Sequence, residues 1–303
     1  MTLTTLEDHC IESFRRNGEC WPEDGGHAEN DAWIQFALAA VLHAVGLVRE
    51  LRISPLSGEA SFKADTSPVT AQEREIEEVI QAQLSRFCPD ATFVGEESGG
   101  SVQANGICVA VDPVDGTWAL LNRMSSCSVV IAVLRDGKPW VGAVGNPATG
   151  EIGYTSADRP SRLIQLDWMG NDLAVDMPLD RVQARSILVN VHPSRDGGPL
   201  LERLMTAWQS SHVQMVRMEG GSPAAALLDA AKGSFVYVNL WDSRPSEPFD
   251  LAAGVMLVRN AGGRVVDALG RDIDSPSHAG PFVAGVDQDA RDEIVSVVAS
   301  MRG

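Results

Sequence analysis

Apolar residues recur along the first half of the chain in patterns that predict two helices followed by several strands. Residues 31–52 read as a long helix, and a second helix begins near Thr70, where apolar side chains repeat at helical spacing. Short apolar runs then predict strands at residues 92–95, 107–111, 127–134, 139–144 and 151–155. Turn signals such as Asp136-Gly137 separate these runs, which favours hairpins and an antiparallel sheet in an α+β first half.

The second half alternates strands and helices, which predicts a layered α/β arrangement. Strands are expected at residues 186–191, 234–239, 264–267 and 281–285, and helices at 199–209, 222–231, 248–260 and 288–301. The stretch from Ser156 to Arg185 is polar and irregular. We therefore place a boundary at its end, between an N-terminal domain over residues 1–185 and a C-terminal domain over residues 186–303.

Composition narrows the possible partners. The 303 residues are 44% hydrophobic and 21% charged, as in a soluble globular protein. The 24 basic and 41 acidic residues give a formal net charge of −17, which disfavours nucleic-acid polymers and anionic membranes as partners. The uncharged segment from Trp33 to Val48 is shorter than a bilayer-spanning helix, so it predicts a helix buried in the core or at a subunit interface.

Five cysteines lack close metal-ligand spacing, and the first residues lack the basic-then-apolar order of a signal peptide. A reducing, cytoplasmic setting is the simplest expectation.

Acidic residues follow or begin predicted elements at three separated places. Glu96 comes directly after the strand at 92–95, Asp112 and Asp115 follow the strand at 107–111, and Asp250 begins an apolar helix. Each has an ordinary structural explanation by itself: a surface turn, an Asp-Gly turn and a helix-capping residue. Their joint occurrence is what raises the possibility of a shared site.

Carboxylate oxygens are the ligands that magnesium prefers in proteins. Asp112 and Asp115 lie on either side of Pro113-Val114, so a tight turn would direct both carboxylates into one space, together with the Val114 carbonyl. Glu96 and Asp250 would complete a cage from other parts of the chain. The next residues, Gly116 and Thr117, would offer backbone N–H groups to a phosphate if a helix begins there.

Four segments together resemble the inositol-monophosphatase superfamily in order and approximate spacing. They are Lys63-Ala-Asp-Thr-Ser-Pro-Val-Thr70, Gly95-Glu-Glu-Ser98, Asp112-Pro-Val-Asp-Gly-Thr117 and Asp250-Leu-Ala-Ala-Gly254. The resemblance extends over about residues 31 to 300. It implies a layered α-β-α-β-α sandwich of the sugar-phosphatase type and a magnesium-dependent phosphatase, and members of the superfamily are often lithium-sensitive homodimers.

The resemblance also implies which residues hold metal. Glu96, Asp112 and the Val114 carbonyl correspond to a first Mg²⁺ site, and Asp112, Asp115 and Asp250 correspond to a second. A third, weaker ion would depend on Glu96 and water, which gives two to three ions in each active site.

Catalytic and substrate contacts follow from the same resemblance. Thr117, Glu96 and an upstream carboxylate would orient the attacking water, and Asp65 is the candidate for that carboxylate. Gly116 and Thr117 would hold the phosphate, and Gly221 and Ser222 would contact the substrate.

Two segments depart from the family pattern. Where the family has Thr-x-Ala-Asp, this chain has Thr70-Ala-Gln-Glu73, which is also a capping box, and we favour a structural role for Glu73. The family's last aspartate follows a tryptophan, as Asp242 does here, but only Asp250 is followed by the expected apolar helix. The loop over residues 241–247 is then longer than usual, and its Arg244 is either a cation for the substrate or a solvated loop residue.

These observations predict a phosphomonoesterase that hydrolyses a small phosphate ester by attack of a metal-activated water. Inositol monophosphate, 3′-phosphoadenosine 5′-phosphate, histidinol phosphate and fructose bisphosphate remain open as substrates. The alternative is a catalytically inactive metal- or ligand-binding relative of the same fold. The sequence leaves open whether Trp118 packs in the core or lines the pocket.

The assignment of the last aspartate yields a direct test. We expect Asp250→Asn to abolish phosphate release and Asp242→Asn to leave it unchanged, because the resemblance assigns the cation ligand to Asp250. Phosphate release by the two purified variants measures this, and the reverse result would overturn the assignment.

Overall fold

The computed structural model describes residues 27–53, 61–62, 68–69, 71–166, 173–179, 186–190, 201–202, 205–206, 209, 215–240 and 246–299. The first part begins with helix α1 (His27–Ile53), the short strands β1 (Ser61–Phe62) and β2 (Pro68–Val69), and helix α2 (Ala71–Phe87). Strands β3 (Thr92–Gly95) and β4 (Ile107–Asp115) follow, and then the five-residue helix α3 (Thr117–Leu121). The first part ends with β5 (Ser128–Arg135), β6 (Lys138–Asn146), β7 (Glu151–Ser156), β8 (Arg159–Gln165) and β9 (Leu173–Asp176).

The second part begins with β10 (Ser186–Asn190) and β11 (Met215–Glu219), followed by helix α4 (Pro223–Ala231) and β12 (Val236–Asn239). Helix α5 (Pro248–Asn260), β13 (Arg264–Asp267), β14 (Phe282–Gly285) and helix α6 (Gln288–Ala299) complete it.

Two larger sheets organise these elements. Strands β3 to β9 form a seven-stranded sheet in sequence order, and a five-stranded sheet has the order β11-β10-β12-β14-β13. Every pair in the larger sheet is antiparallel except β3–β4, which is parallel. The expectation of an antiparallel first sheet is therefore right for all but this pair. The parallel pairing places the carboxyl ends of β3 and β4 side by side.

Three apolar layers hold the sheets and helices together. Helices α1 and α2 cover one face of the seven-stranded sheet, α4 and α5 lie between the two sheets, and α6 covers the far face of the other. The order is α-β-α-β-α, so the predicted sandwich is confirmed. Along the chain, the proposed boundary at residue 185 falls between the last strand of the larger sheet and the first strand of the smaller one. The division into domains stays a prediction.

Helix α1 meets the length and hydropathy expected of a membrane span over Glu29–Arg52, but 56% of that window is buried inside the protein. Trp33 and Phe36 pack with Phe87 of α2 in a cluster of aromatic rings. The long apolar helix is thus a core helix, which is one of the two alternatives that its sequence predicted.

Strands β8 and β9 lie within the stretch that the sequence indicated to be irregular, so that prediction is wrong. In β8 the side chains of Ser161 and Leu163 are buried, whereas Arg162 and Gln165 are partly or fully exposed, so the strand lacks a long apolar run. Strand β11 was also missed, because it is an edge strand whose pairing with β10 is visible only in the tertiary structure.

Helix α5 approaches the larger sheet closely at Gly142 on β6. A Cβ atom at Gly142 would lie 2.9 Å from the Cα of Ala253, so backbone meets backbone at this position. At Gly153 on β7 an added Cβ would instead meet the tip of Leu228, at 2.4 Å, and a side-chain tip can move aside.

We expect Gly142→Ala to lower the free energy of unfolding by about 1–3 kcal/mol, because helix α5 must move away from the sheet. The matched variant Gly153→Ala should cost less. Urea denaturation of both variants measures the difference, and equal losses would contradict a backbone contact at Gly142.

Candidate metal centre and active site

Three of the predicted ligands meet in space although they are far apart in the sequence. The nearest carboxylate oxygens of Asp112, Asp115 and Asp250 all lie within 4.8 Å of one another. Asp112 and Asp115 end strand β4, and Asp250 lies in the first turn of α5. Because α5 packs against β4, the first turn of the helix brings Asp250 close to Asp112 and Asp115.

The fourth predicted ligand, Glu96, lies in the turn after β3, beside Asp112 but outside the group of three. Its carboxyl group hydrogen-bonds that of Asp112. The parallel pairing of β3 with β4 sets Gly95 opposite Val111, so the residues that follow these two emerge side by side. The backbone N–H of Glu96 also donates to the Val111 carbonyl at 3.1 Å.

Burial and crowding raise the pKa values of the central carboxyl groups. Desolvation and the nearby charges of Glu96, Asp115 and Asp250 hold the pKa of Asp112 well above its usual range. Burial raises the pKa of Asp115 to about 7, although hydrogen bonds from Ser222 and the backbone of Ala224 act in the opposite direction. A bound cation would relieve this repulsion, and an all-oxygen donor set fits a hard divalent ion.

Asp115 is held by the start of helix α4. The hydroxyl of Ser222 and the N–H of Ala224 both donate to its Oδ2 atom, the latter at 3.0 Å. The Ser222 oxygen also accepts from the N–H of Ala225 at 2.8 Å and lies 2.7 Å from the Ser128 hydroxyl. Ser222, predicted to contact the substrate, therefore uses its side chain to orient a metal-ligand candidate.

Asp250 combines both roles that the sequence left open. Its Oδ2 atom accepts from the backbone N–H of Glu247 at 2.7 Å, which caps helix α5. The same carboxylate has an oxygen in the acidic group. The capping explanation and the metal explanation are thus compatible at this position.

The predicted phosphate-binding turn is built from close backbone contacts. Gly116 has φ 88°, and a Cβ atom there would lie 2.8 Å from the Ser222 nitrogen and 2.9 Å from the Ser126 carbonyl. Helix α3 begins at the next residue, Thr117. Gly221 is equally constrained, because an added Cβ would meet the Ser126 carbonyl at 2.4 Å.

Thr117 contacts Glu73, for which the sequence favoured a structural role. Its hydroxyl donates to Glu73 Oε1 at 2.8 Å and lies 3.3 Å from the carbonyl of Val114. Glu73 is only 1% exposed and sits on α2. The available signal was its position in the family's Thr-x-x-acid segment. Asp65, Arg244 and Asp242 lie outside the described residues.

A cavity of about 380 Å³, lined by both polar and apolar side chains, opens beside Gly221 and Ser222. Its walls include Asn190, Arg217 and Lys232, and Lys232 is itself paired with Glu151 at 2.9 Å. Trp118, whose position was left open, is 56% exposed and does not line this cavity.

Comparison with known proteins decides the family. The model of the inositol monophosphatase family matches residues 29–299. The chain belongs to the inositol monophosphatase family. It is 30% identical over 249 residues to an inositol-1-monophosphatase of Synechocystis, a match that covers 77% of this chain and 78% of the relative.

A further relative and a solved structure of the same fold also match the chain. A histidinol-phosphatase of Mycobacterium tuberculosis is 35% identical over 140 residues, which cover 43% of this chain and 54% of that protein. The solved structure of the suppressor protein SuhB of Bartonella henselae superposes with a TM-score of 0.71 at 22% identity, covering 88% of this chain and 98% of the other. This metal-dependent family makes the chain a phosphomonoesterase.

Ser222 generates a prediction about stability. Ser222→Ala removes a helix cap and a donor to the buried carboxylate of Asp115, so we expect the free energy of unfolding to fall by about 2 kcal/mol or more. Ser128→Ala removes only the hydrogen bond between the Ser128 and Ser222 hydroxyls and should cost less. Urea titrations of both variants test this, and a neutral Ser222→Ala would show that the hydroxyl does not hold Asp115.

Proposed function

We propose that this protein hydrolyses the phosphate ester of a small metabolite with two to three Mg²⁺ ions. The observation that carries the proposal is the convergence of Asp112, Asp115 and Asp250, with Glu96 hydrogen-bonded beside them. These four side chains would hold the ions, with the Val114 carbonyl as a further ligand. When bound, the ions lower the pKa of water and neutralise the charge that develops on the leaving oxygen.

The chain's own residues supply the orientation of the attacking water. Because Glu73 accepts the hydroxyl hydrogen of Thr117, the remaining lone pairs of that oxygen are available to a water molecule. Glu96 can accept the second hydrogen of the same water. We therefore propose Glu73, paired with Thr117, in the role that the sequence assigned to Asp65.

The substrate's phosphate would bind at the turn formed by Gly116 and Thr117, because helix α3 begins there and the N-terminus of a helix favours a bound anion. The neighbouring cavity of about 380 Å³ has the size expected for a small-molecule site. Its walls carry charges of both signs, which suits a polar metabolite. The relatives' names make inositol monophosphate and histidinol phosphate the first compounds to test.

The test is phosphate release from a panel of small phosphate esters, with and without Mg²⁺. The panel contains inositol monophosphate, histidinol phosphate, 3′-phosphoadenosine 5′-phosphate and fructose bisphosphate. We expect Mg²⁺-dependent release from at least one compound, and Asp112→Asn should lower kcat/KM by about 10²-fold or more.

Thermal unfolding separates the alternatives. Mg²⁺ should raise the Tm of the wild-type protein, because a ligand that binds only the folded state stabilises it. A Tm rise with no release from any compound would favour a catalytically inactive metal-binding relative. Inhibition by lithium, assembly into a homodimer and a cytoplasmic location stay predictions. Among the described residues, Cys88, Cys108 and Cys127 are free thiols.

A further inference from the structure

Helix α2 presents two buried carboxylates, one helical turn apart, towards the active site. Glu73 and Glu77 are 1% and 3% exposed, respectively. Residues four apart lie on the same face of a helix. Glu73 reaches Thr117, whereas Glu77 reaches a different part of the site, the turn that follows β3.

Both carboxylate oxygens of Glu77 accept hydrogen bonds from this turn. Its Oε1 atom accepts from the backbone N–H of Glu97 at 2.7 Å, and its Oε2 atom accepts from that of Ser98 at 2.9 Å. Hydrogen bonds to an ionised acceptor are stronger than those between neutral groups. Two such bonds to consecutive residues fix both the position and the direction of the backbone just after Glu96.

The same carboxylate packs against the residue before Glu96. A Cβ atom on Gly95 would lie 2.3 Å from Oε2 of Glu77, so only glycine leaves room for this contact. Gly95 also exchanges backbone hydrogen bonds with Gly99 at 3.0 and 2.9 Å, which closes the turn. Glu96 is therefore held from both sides along the chain, and its own N–H is bound to Val111 at 3.1 Å.

We propose that Glu77 is a positioning residue that sets the carboxylate of Glu96 against Asp112 and thereby determines the affinity for the divalent cation. Its carboxylate accepts hydrogen bonds from backbone N–H groups of the turn, so it acts through Glu96. The inference rests on the proposed metal-dependent function. It adds a residue outside the ligand set whose loss should weaken cation binding.

Glu77→Gln is the informative variant. Glutamine keeps one acceptor oxygen, but its NH₂ group faces a backbone N–H and cannot accept from it. Glu78→Gln is a matched control, because Glu78 lies next to Glu77 on the same helix but is exposed. Isothermal titration of the full-length protein with Mg²⁺ should show Kd raised about tenfold or more for Glu77→Gln and unchanged for Glu78→Gln.

A double variant distinguishes positioning from a general loss of structure. Glu96→Gln alone weakens Mg²⁺ binding, and adding Glu77→Gln should weaken it little further, because the group through which Glu77 acts is already altered. Additive losses of Mg²⁺ affinity would overturn the proposal. Thermal unfolding of each variant confirms that the compared proteins are folded.

The remaining outcomes separate this inference from the proposed function. Wild-type protein that binds no Mg²⁺ would overturn both. Wild-type binding with an unchanged Kd for Glu77→Gln would overturn the positioning role alone. If Glu77→Gln does not fold, Glu77→Asp provides the same test, because its shorter side chain keeps the charge but cannot reach both N–H groups. An unchanged Kd there also overturns the inference.

Discussion

The structure depends on confining several carboxylates in one largely buried place. Oxygens of Asp112, Asp115 and Asp250 lie within 4.8 Å of one another, and Glu96 shares a hydrogen bond with Asp112. Two charges about 4 Å apart repel each other by about 4 kcal/mol at an effective dielectric constant of about 20. Such a group is stable only when protons or cations balance its charge, and the raised pKa values of Asp112 and Asp115 express the same requirement.

The layered fold directs backbone dipoles at this charge. Helices α4 and α5 lie between the two sheets, and both begin at the acidic group: Ala224 in the first turn of α4 donates to Asp115, and Asp250 lies in the first turn of α5. Helix N-termini favour nearby negative charge. Helix α2 contributes from the opposite face of the larger sheet, where Glu73 binds Thr117 and Glu77 binds the turn that carries Glu96.

Sequence patterns located the elements that bury a regular apolar face. Helix α5 and strands β4 to β6 lie close to their predicted positions, because their burial leaves long apolar runs. Strands β8, β9 and β11 escaped detection. They are polar, short or at a sheet edge, so no long apolar run marks them in the sequence. The role of Glu73 was obscured because a capping glutamate and a buried partner of Thr117 have the same sequence signature.

By itself, the sequence determined the family resemblance, the layered architecture and the four carboxylates, because motif order and apolar periodicity are properties of the linear chain. Only the tertiary structure decided which groups touch. It paired Thr117 with Glu73, tied Ser222 to Asp115 and placed Glu77 behind Glu96. These contacts join residues that are from about 20 to more than 100 positions apart in the sequence. Such residues meet because helices pack on sheets, and no local sequence pattern encodes that packing.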